Sequence, residues 1–191
     1  MKTLMLILMM VVSPVLLAQT PEQILFSDPA SPRFGAKDAR LTLVSFTDYN
    51  CPYCKQFDPL LERVVKENPD VAVVIKLLPF RGASSISAGR AALTVWEQQP
   101  DKFMALHQRL MAKKGPQDEE SIDAAIAKVG LAPVKVTPES YLQLKTNVEV
   151  AEVLGIQGTP ATIIGDQLIA GAISWDDLNM LVEAQLAKAK K

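Results

Sequence analysis

Cysteine is scarce in this chain of 191 residues: there are two, Cys51 and Cys54, with two residues between them. Histidine is scarcer still, with His107 alone. A structural zinc site ordinarily takes four ligands, including a second Cys/His pair, so one chain cannot assemble one here. A bridge across so short a gap closes a tiny loop and removes little unfolded-chain entropy. The pair is therefore a poor structural staple and a better redox device. A surplus of charge is missing too. The 20 Lys+Arg residues face 21 Asp+Glu, for a net charge of −1, which gives no reason to expect a nucleic-acid footprint or a strongly charged partner. No internal repeat, low-complexity tract or heptad pattern appears. What remains is a globular composition, 49% hydrophobic, long enough to bury a core without help from disulfides or metals.

The first eighteen residues differ from the rest. Lys2 gives a short positive start, and Leu4 to Val12 is an unbroken apolar run of nine residues. Spanning a bilayer takes ~20 apolar residues, so the run reads as a secretory signal peptide over 1–18, cut after Ala18. Removing it leaves 19 Lys+Arg against 21 Asp+Glu, a mature charge of −2. With no cysteine near the cut, a lipid-anchored form is not expected. Export implies a compartment that permits disulfides.

Along the mature chain, residues 19–40 form a Pro-, Asp- and Ser-rich lead, read as a short helix followed by loop. Leu41–Thr47 reads as a strand. Phe57, Leu60, Leu61, Val64 and Val65 carry helical spacing up to Asn68-Pro69, and Val71–Leu78 reads as a buried strand broken only by Lys76. This is a βαβ unit within residues 41–83. Residues 84–136 read as a helical insertion: one helix capped by Ser84/Ser85 and running through Trp96, one from Pro100 through Lys113, and one capped by Asp118 and stopping at Gly130. Residues 137–191 begin a long helix at Thr137-Pro138. A hairpin (Ala161–Ile164, Gln167–Ala170) follows, then an amphipathic helix from Ser174 through Lys188. The order is an α/β thioredoxin fold, βαβ plus ββα, with the helical block between the halves.

Cys51 falls where the first strand gives way to a helix, with Pro52 in the first turn. Helix-start amides lack intrahelical partners and carry partial positive charge, so a sulfur there is stabilised as thiolate, the attacking species in disulfide exchange. Cys54 lies one turn on, close enough to close the bridge or resolve a mixed disulfide. Thr159-Pro160 immediately precedes the hairpin; the residues alone leave its isomer open. His107 shares a helix face with Phe103, Leu110 and Met111 and reads as a core histidine, and Trp96 and Trp175 read as packing residues.

The run Phe46-Thr-Asp-Tyr-Asn-Cys-Pro-Tyr-Cys-Lys55, with Gly158-Thr-Pro160 about a hundred residues later, resembles the DsbA-like branch of the thioredoxin superfamily across nearly the whole mature chain. Asp48-Tyr-Asn-Cys-Pro-Tyr-Cys54, Leu78-Pro-Phe80 and Ala112-Lys-Lys-Gly115 resemble more narrowly the suppressor-of-copper-sensitivity protein C group. The resemblance implies a periplasmic thiol–disulfide oxidoreductase that needs no cofactor. It implies that Cys51 is an exposed nucleophile, that Cys54 resolves, that Pro160 is cis, and that Pro52, Tyr53, Thr159 and Pro160 meet the substrate. The implied partners are protein thiols and disulfides and a membrane redox protein that resets the pair.

Two departures matter. Strongly oxidising relatives carry His where this chain has Tyr53, which suggests a less oxidising pair. Many relatives carry a buried acid where this chain has Ser45, leaving Lys76 or a water as proton acceptor for Cys54. The 22 residues from Gln19 to Arg40 are too few for the dimerisation region of isomerases, so a monomer is expected. A competing reading keeps the same two thiolates, Cys51 and Cys54, as ligands for Cu(I).

Overall fold

The computed structural model describes residues 19–189; the expected signal peptide over 1–18 lies outside them. Helix α1 (Pro21–Phe26) opens the chain, followed by strands β1 (Arg33–Gly35) and β2 (Leu41–Thr47), helix α2 (Pro52–Glu67) and strand β3 (Val71–Leu77). Helices α3 (Ala83–Gln98), α4 (Pro100–Ala112), α5 (Glu119–Lys128) and α6 (Pro138–Val153) come next. Strands β4 (Ala161–Ile164) and β5 (Gln167–Ala170) and helix α7 (Trp175–Lys188) close it. The five strands make one sheet in the order β1-β3-β2-β4-β5. β2 and β3 are parallel, as a βαβ crossover requires, and the other pairs are antiparallel.

Both faces of the sheet centre are covered, which explains why β2 and β3 read as apolar runs and not as alternating ones. Leu41, Leu43, Val71, Val73, Ile75 and Leu77 join Phe57, Leu61 and Val64 of α2 and Leu178 and Val182 of α7 in the larger core cluster. Val44, Phe46 and Val74 point the other way, into a smaller cluster with Ala151 and Ile156. Lys76 alternates onto that second face and is fully buried. Its Nζ donates to the Ile24 carbonyl at 2.5 Å, to Ser31 Oγ at 2.6 Å and to Asp28 Oδ2 at 3.4 Å. It thus ties α1 and the lead to the sheet.

Two sequence expectations need correction. The lead is not only helix and loop: β1 is a three-residue edge strand, too short to show alternation. Its Gly35 sits at φ +97, where a Cβ would come within 2.5 Å of the Val71 carbonyl oxygen. And Ser84 and Ser85 do not cap α3. Gly82 does so, with φ +87, and both serines lie inside the helix with their hydroxyls turned to the segment before Cys51. Asp118 and Thr137 cap α5 and α6 as expected, accepting from the amides of Ser121 and Ser140. Trp96 and Trp175 pack partly buried, Trp96 Nε1 donating to the Pro29 carbonyl and Trp175 lying under Arg63. No described helix is long and apolar enough to cross a membrane.

Candidate active site

Strand β2 delivers Asp48, Tyr49 and Asn50 to the start of α2, and each is clamped. Asp48 accepts from the Asn50 amide (2.8 Å), the Ser85 hydroxyl (2.7 Å) and the Arg81 amide (2.9 Å). Asn50 donates through Nδ2 to Ser84 and Ser85 and accepts at Oδ1 from the Gln117 amide at 2.6 Å. The Tyr49 hydroxyl lies 2.9 Å from His107 Nδ1, and His107 Nε2 lies 2.9 Å from Asp58 Oδ1. Burial, and then the charge of Asp58, hold the Tyr49 phenol well above its ordinary value, so it stays protonated and donates. His107 Nδ1 is then the acceptor and Nε2–H donates to Asp58, the tautomer that pairs every group. The three residues before Cys51 are thereby fixed to α2, α3, α4 and the segment before α5.

Cys51 is the N-cap of α2 and Pro52 its first helical residue. Burial works against the Cys51 thiolate, but the side-chain hydrogen bond with Thr159, the Cys54 amide and thiol, and the Tyr53 amide outweigh it and bring its pKa down. Burial pushes the Cys54 thiol up to about 12, against hydrogen bonds from Thr159, Thr47 and the Asp48 amide, and with repulsion from Cys51 added. One motif thus holds two sulfurs with opposite tendencies. Cys51 is not the exposed group the resemblance implies. It is 1% exposed, and its Sγ sits 3.2 Å from the Thr159 carbonyl oxygen, to which the thiol donates. The Thr159-Pro160 peptide bond is cis, as the resemblance implies, and this loop is what covers the sulfur.

Of the sequence-derived candidates, the structure brings Cys51, Cys54 and Thr159 into contact, with Pro52 and Tyr53 at the edge. A groove of about 840 Å³ opens there, lined by Pro52, Tyr53, Phe80, Arg81, Pro116 and Thr159 among others. Lys55 reaches across its floor, donating to the carbonyls of Lys113 (2.5 Å) and Gly115 (2.8 Å). Lys76 is not brought to the site: it lies on the far face of the sheet, its donors spent on α1 and the lead, so it is no proton acceptor for Cys54. Ser45 is buried and pairs in register with Thr162. The Thr162 hydroxyl is the one buried side-chain polar atom without a partner among the described residues. The sequence assigns no role at the site to Asp48, Asn50 or Asp58, and it marks Ser84 and Ser85 only as helix caps. Asp48 and Asn50 flank the motif and Asp58 follows it by one turn of α2, but the serines are distant in sequence, and none carries a local signal of its partners. No group of three or more His, Cys, Asp or Glu that could hold a metal ion occurs among the described residues.

Comparison with known proteins places this geometry. The family profile described as "DSBA-like thioredoxin domain" matches residues 42–183. A periplasmic thioredoxin-like protein from Salmonella enterica serovar Typhimurium is 54% identical, with a TM-score of 0.86 over 87% of this chain and 96% of that one. The catalytic domain of Proteus mirabilis ScsC is also 54% identical, with a TM-score of 0.85 over 87% of this chain and 94% of that one. Disulfide bond formation protein D of Bacillus subtilis is 26% identical over 81% of this chain and 77% of its own length. The fold and the narrower group named from the sequence agree with these matches.

Proposed function

The chain belongs to the DSBA-like thioredoxin domain family of disulfide oxidoreductases, and from that premise we propose that it exchanges disulfides with protein substrates in the periplasm through Cys51 and Cys54. The observation that carries the reading is the pair of opposed sulfurs: a Cys51 thiol brought down at a helix start, and a Cys54 thiol pushed up to about 12 one turn away.

In the oxidising direction a substrate thiolate attacks Cys51 Sγ of the Cys51–Cys54 disulfide. The S–Cys51 bond forms, the Cys51–Cys54 bond breaks, and its electron pair leaves on Cys54, which takes up a proton. A second substrate thiolate then attacks the substrate sulfur of the mixed disulfide and expels Cys51 as thiolate, its better-stabilised form. The reducing direction runs the same steps backwards. Thr159 and Pro160 present backbone to the bound peptide, while Pro52 and Tyr53 border it. A membrane redox protein resets the pair, and the chain acts as a monomer, released from its signal peptide. Periplasmic residence is supported by the apolar leader and by the Salmonella relative's description as periplasmic.

The test is trapping. Cys51→Ser should abolish exchange with a cysteine-containing peptide, and Cys54→Ser should accumulate a mixed disulfide on Cys51. Exchange that survives Cys51→Ser would refute the assignment. A second reading rests on the contact between two soft sulfur donors: the reduced pair holds Cu(I), and the chain takes part in copper tolerance. Cu(I) binding that persists in a Cys51→Ser/Cys54→Ser double variant would dismiss these ligands.

A further inference from the structure

The groove beside the cysteine pair has a charge that the chain as a whole does not. The full sequence is close to neutral at −1, yet the charged residues that line the groove are Lys55 and Arg81, both cations. Lys55 is largely committed to two backbone carbonyls. Arg81 is not. Its guanidinium makes no hydrogen bond or ion pair among the described residues; the same is true of Arg109, which does not line the groove, whereas Arg33, Arg40, Arg63 and Arg90 each have a partner. The carboxyl nearest along the contacts, Asp48, is buried, and its oxygens are taken by the amides of Asn50 and Arg81 and the hydroxyl of Ser85. The bond from its own amide to Asp48 fixes the Arg81 backbone at the groove wall. Next to it Phe80 is 55% exposed, and Tyr53 is 61% exposed. These give an apolar platform that discriminates little by sequence.

Resting on the disulfide-exchange reading, we infer that this groove selects protein substrates whose reactive cysteine is flanked by a carboxylate side chain, which Arg81 receives. A fork of five N–H donors at a half-open wall fits a carboxylate in a way a lysine does not. An acidic flank otherwise hinders exchange, because it repels the negative charge shared between the attacking substrate sulfur, Cys51 and the departing Cys54 as the mixed disulfide forms. A free cation at the wall offsets that repulsion. The pairing is solvent-facing, so it changes encounter and specificity modestly and depends on salt.

The probe is a set of cysteine peptides identical except for Glu, Gln or Lys beside the cysteine. Mixed-disulfide formation with the oxidised protein is timed, and each rate is divided by that peptide's own rate with uncharged bis(2-hydroxyethyl) disulfide. The Glu peptide should exceed the Lys peptide by about 2- to 5-fold, with Gln between, a span typical of one exposed ion pair. The ratio should collapse toward one at about 1 M salt, where screening acts within ~3 Å. Arg81→Gln should flatten the series and Arg81→Glu should invert it, in variants whose circular dichroism matches the parent. Equal rates for Glu and Lys peptides, or a series unchanged in Arg81→Glu, would overturn the inference while leaving the exchange reading intact. Failure of even the Gln peptide to react with the parent protein would instead strike the exchange reading itself.

Discussion

Cys51 receives the amides of Tyr53 and Cys54 at the start of α2, whereas Cys54, one turn further along, is enclosed by Thr47, Asp48 and Thr159. The signs of the two shifts fix a pH dependence. The Cys51 thiol is lowered from its ordinary value, so its thiolate persists to lower pH than that of a free thiol and disappears as pH falls through the folded value. The Cys54 thiol, pushed up to about 12, stays protonated through the whole physiological range. Small-reagent alkylation of the reduced protein at pH 6 to 7 should therefore modify Cys51 well before Cys54, as peptide mapping would read. Equal rates, or Cys54 first, would contradict the assignment. His107 is legible from sequence as a core residue, and it is fully buried and stacked on Phe103. Sequence does not show that it bridges Tyr49 to Asp58, because a bridge among three segments has no periodicity to betray it. His107→Ala would leave a buried carboxyl and a buried phenol without partners, and each buried group so orphaned costs about 1–3 kcal/mol. Urea unfolding should register a loss of that order, and a loss under about 1 kcal/mol would mean the bridge contributes nothing.

At the scale of elements, the long periodic segments were readable and the short or tertiary ones were not. Helices α2, α4, α5 and α6 announce themselves by apolar spacing and by Pro52, Pro100, Asp118 and Pro138 at their starts. The start of α3 misleads because serines usually cap helices, yet here a tertiary demand overrides that preference. Asp48 and Asn50 need hydroxyl partners, so Ser84 and Ser85 are drawn inside the helix, and Gly82 takes the turn. Strand β1 is invisible because three residues carry no pattern, and its pairing with β3 is what defines it. Lys76 shows the same limit inside a strand. The apolar run around it marks burial correctly, but only the packing of α1 over the second sheet face reveals where its ammonium goes. The Asp118 capping box opens α5, and Asp118→Ala should lower the midpoint of thermal or urea unfolding. No change would place the stability of α5 wholly in its packing.

For the whole molecule, the arrangement is a sheet with helices on both faces, and a helical insertion whose side chains hold the active-site loop from behind. The βαβ and ββα halves and the family were legible because the cysteine motif and the Thr159-Pro160 step bracket the insertion at readable positions. The electrostatics were not, because burial of both sulfurs under the Thr159 loop depends on residues more than a hundred positions apart. The lead contains only α1 and β1, both packed on the sheet, and α7 buries Leu178, Val182 and Leu186 against the molecule's own core. Light scattering of the mature protein at micromolar concentration should thus give a monomer, with weak isomerase activity on a scrambled substrate. A stable dimer or trimer with strong isomerase activity would reverse that expectation. The most direct test of the central claim is the equilibrium of Cys51 and Cys54 against mixtures of reduced and oxidised glutathione, read by mass after acid quench. A single two-electron transition is predicted, at a potential more reducing than the ~−120 mV of a dedicated oxidant and no lower than the ~−270 mV of a dedicated reductant. A pair that stays reduced, or stays bridged, across the whole glutathione range would contradict the account.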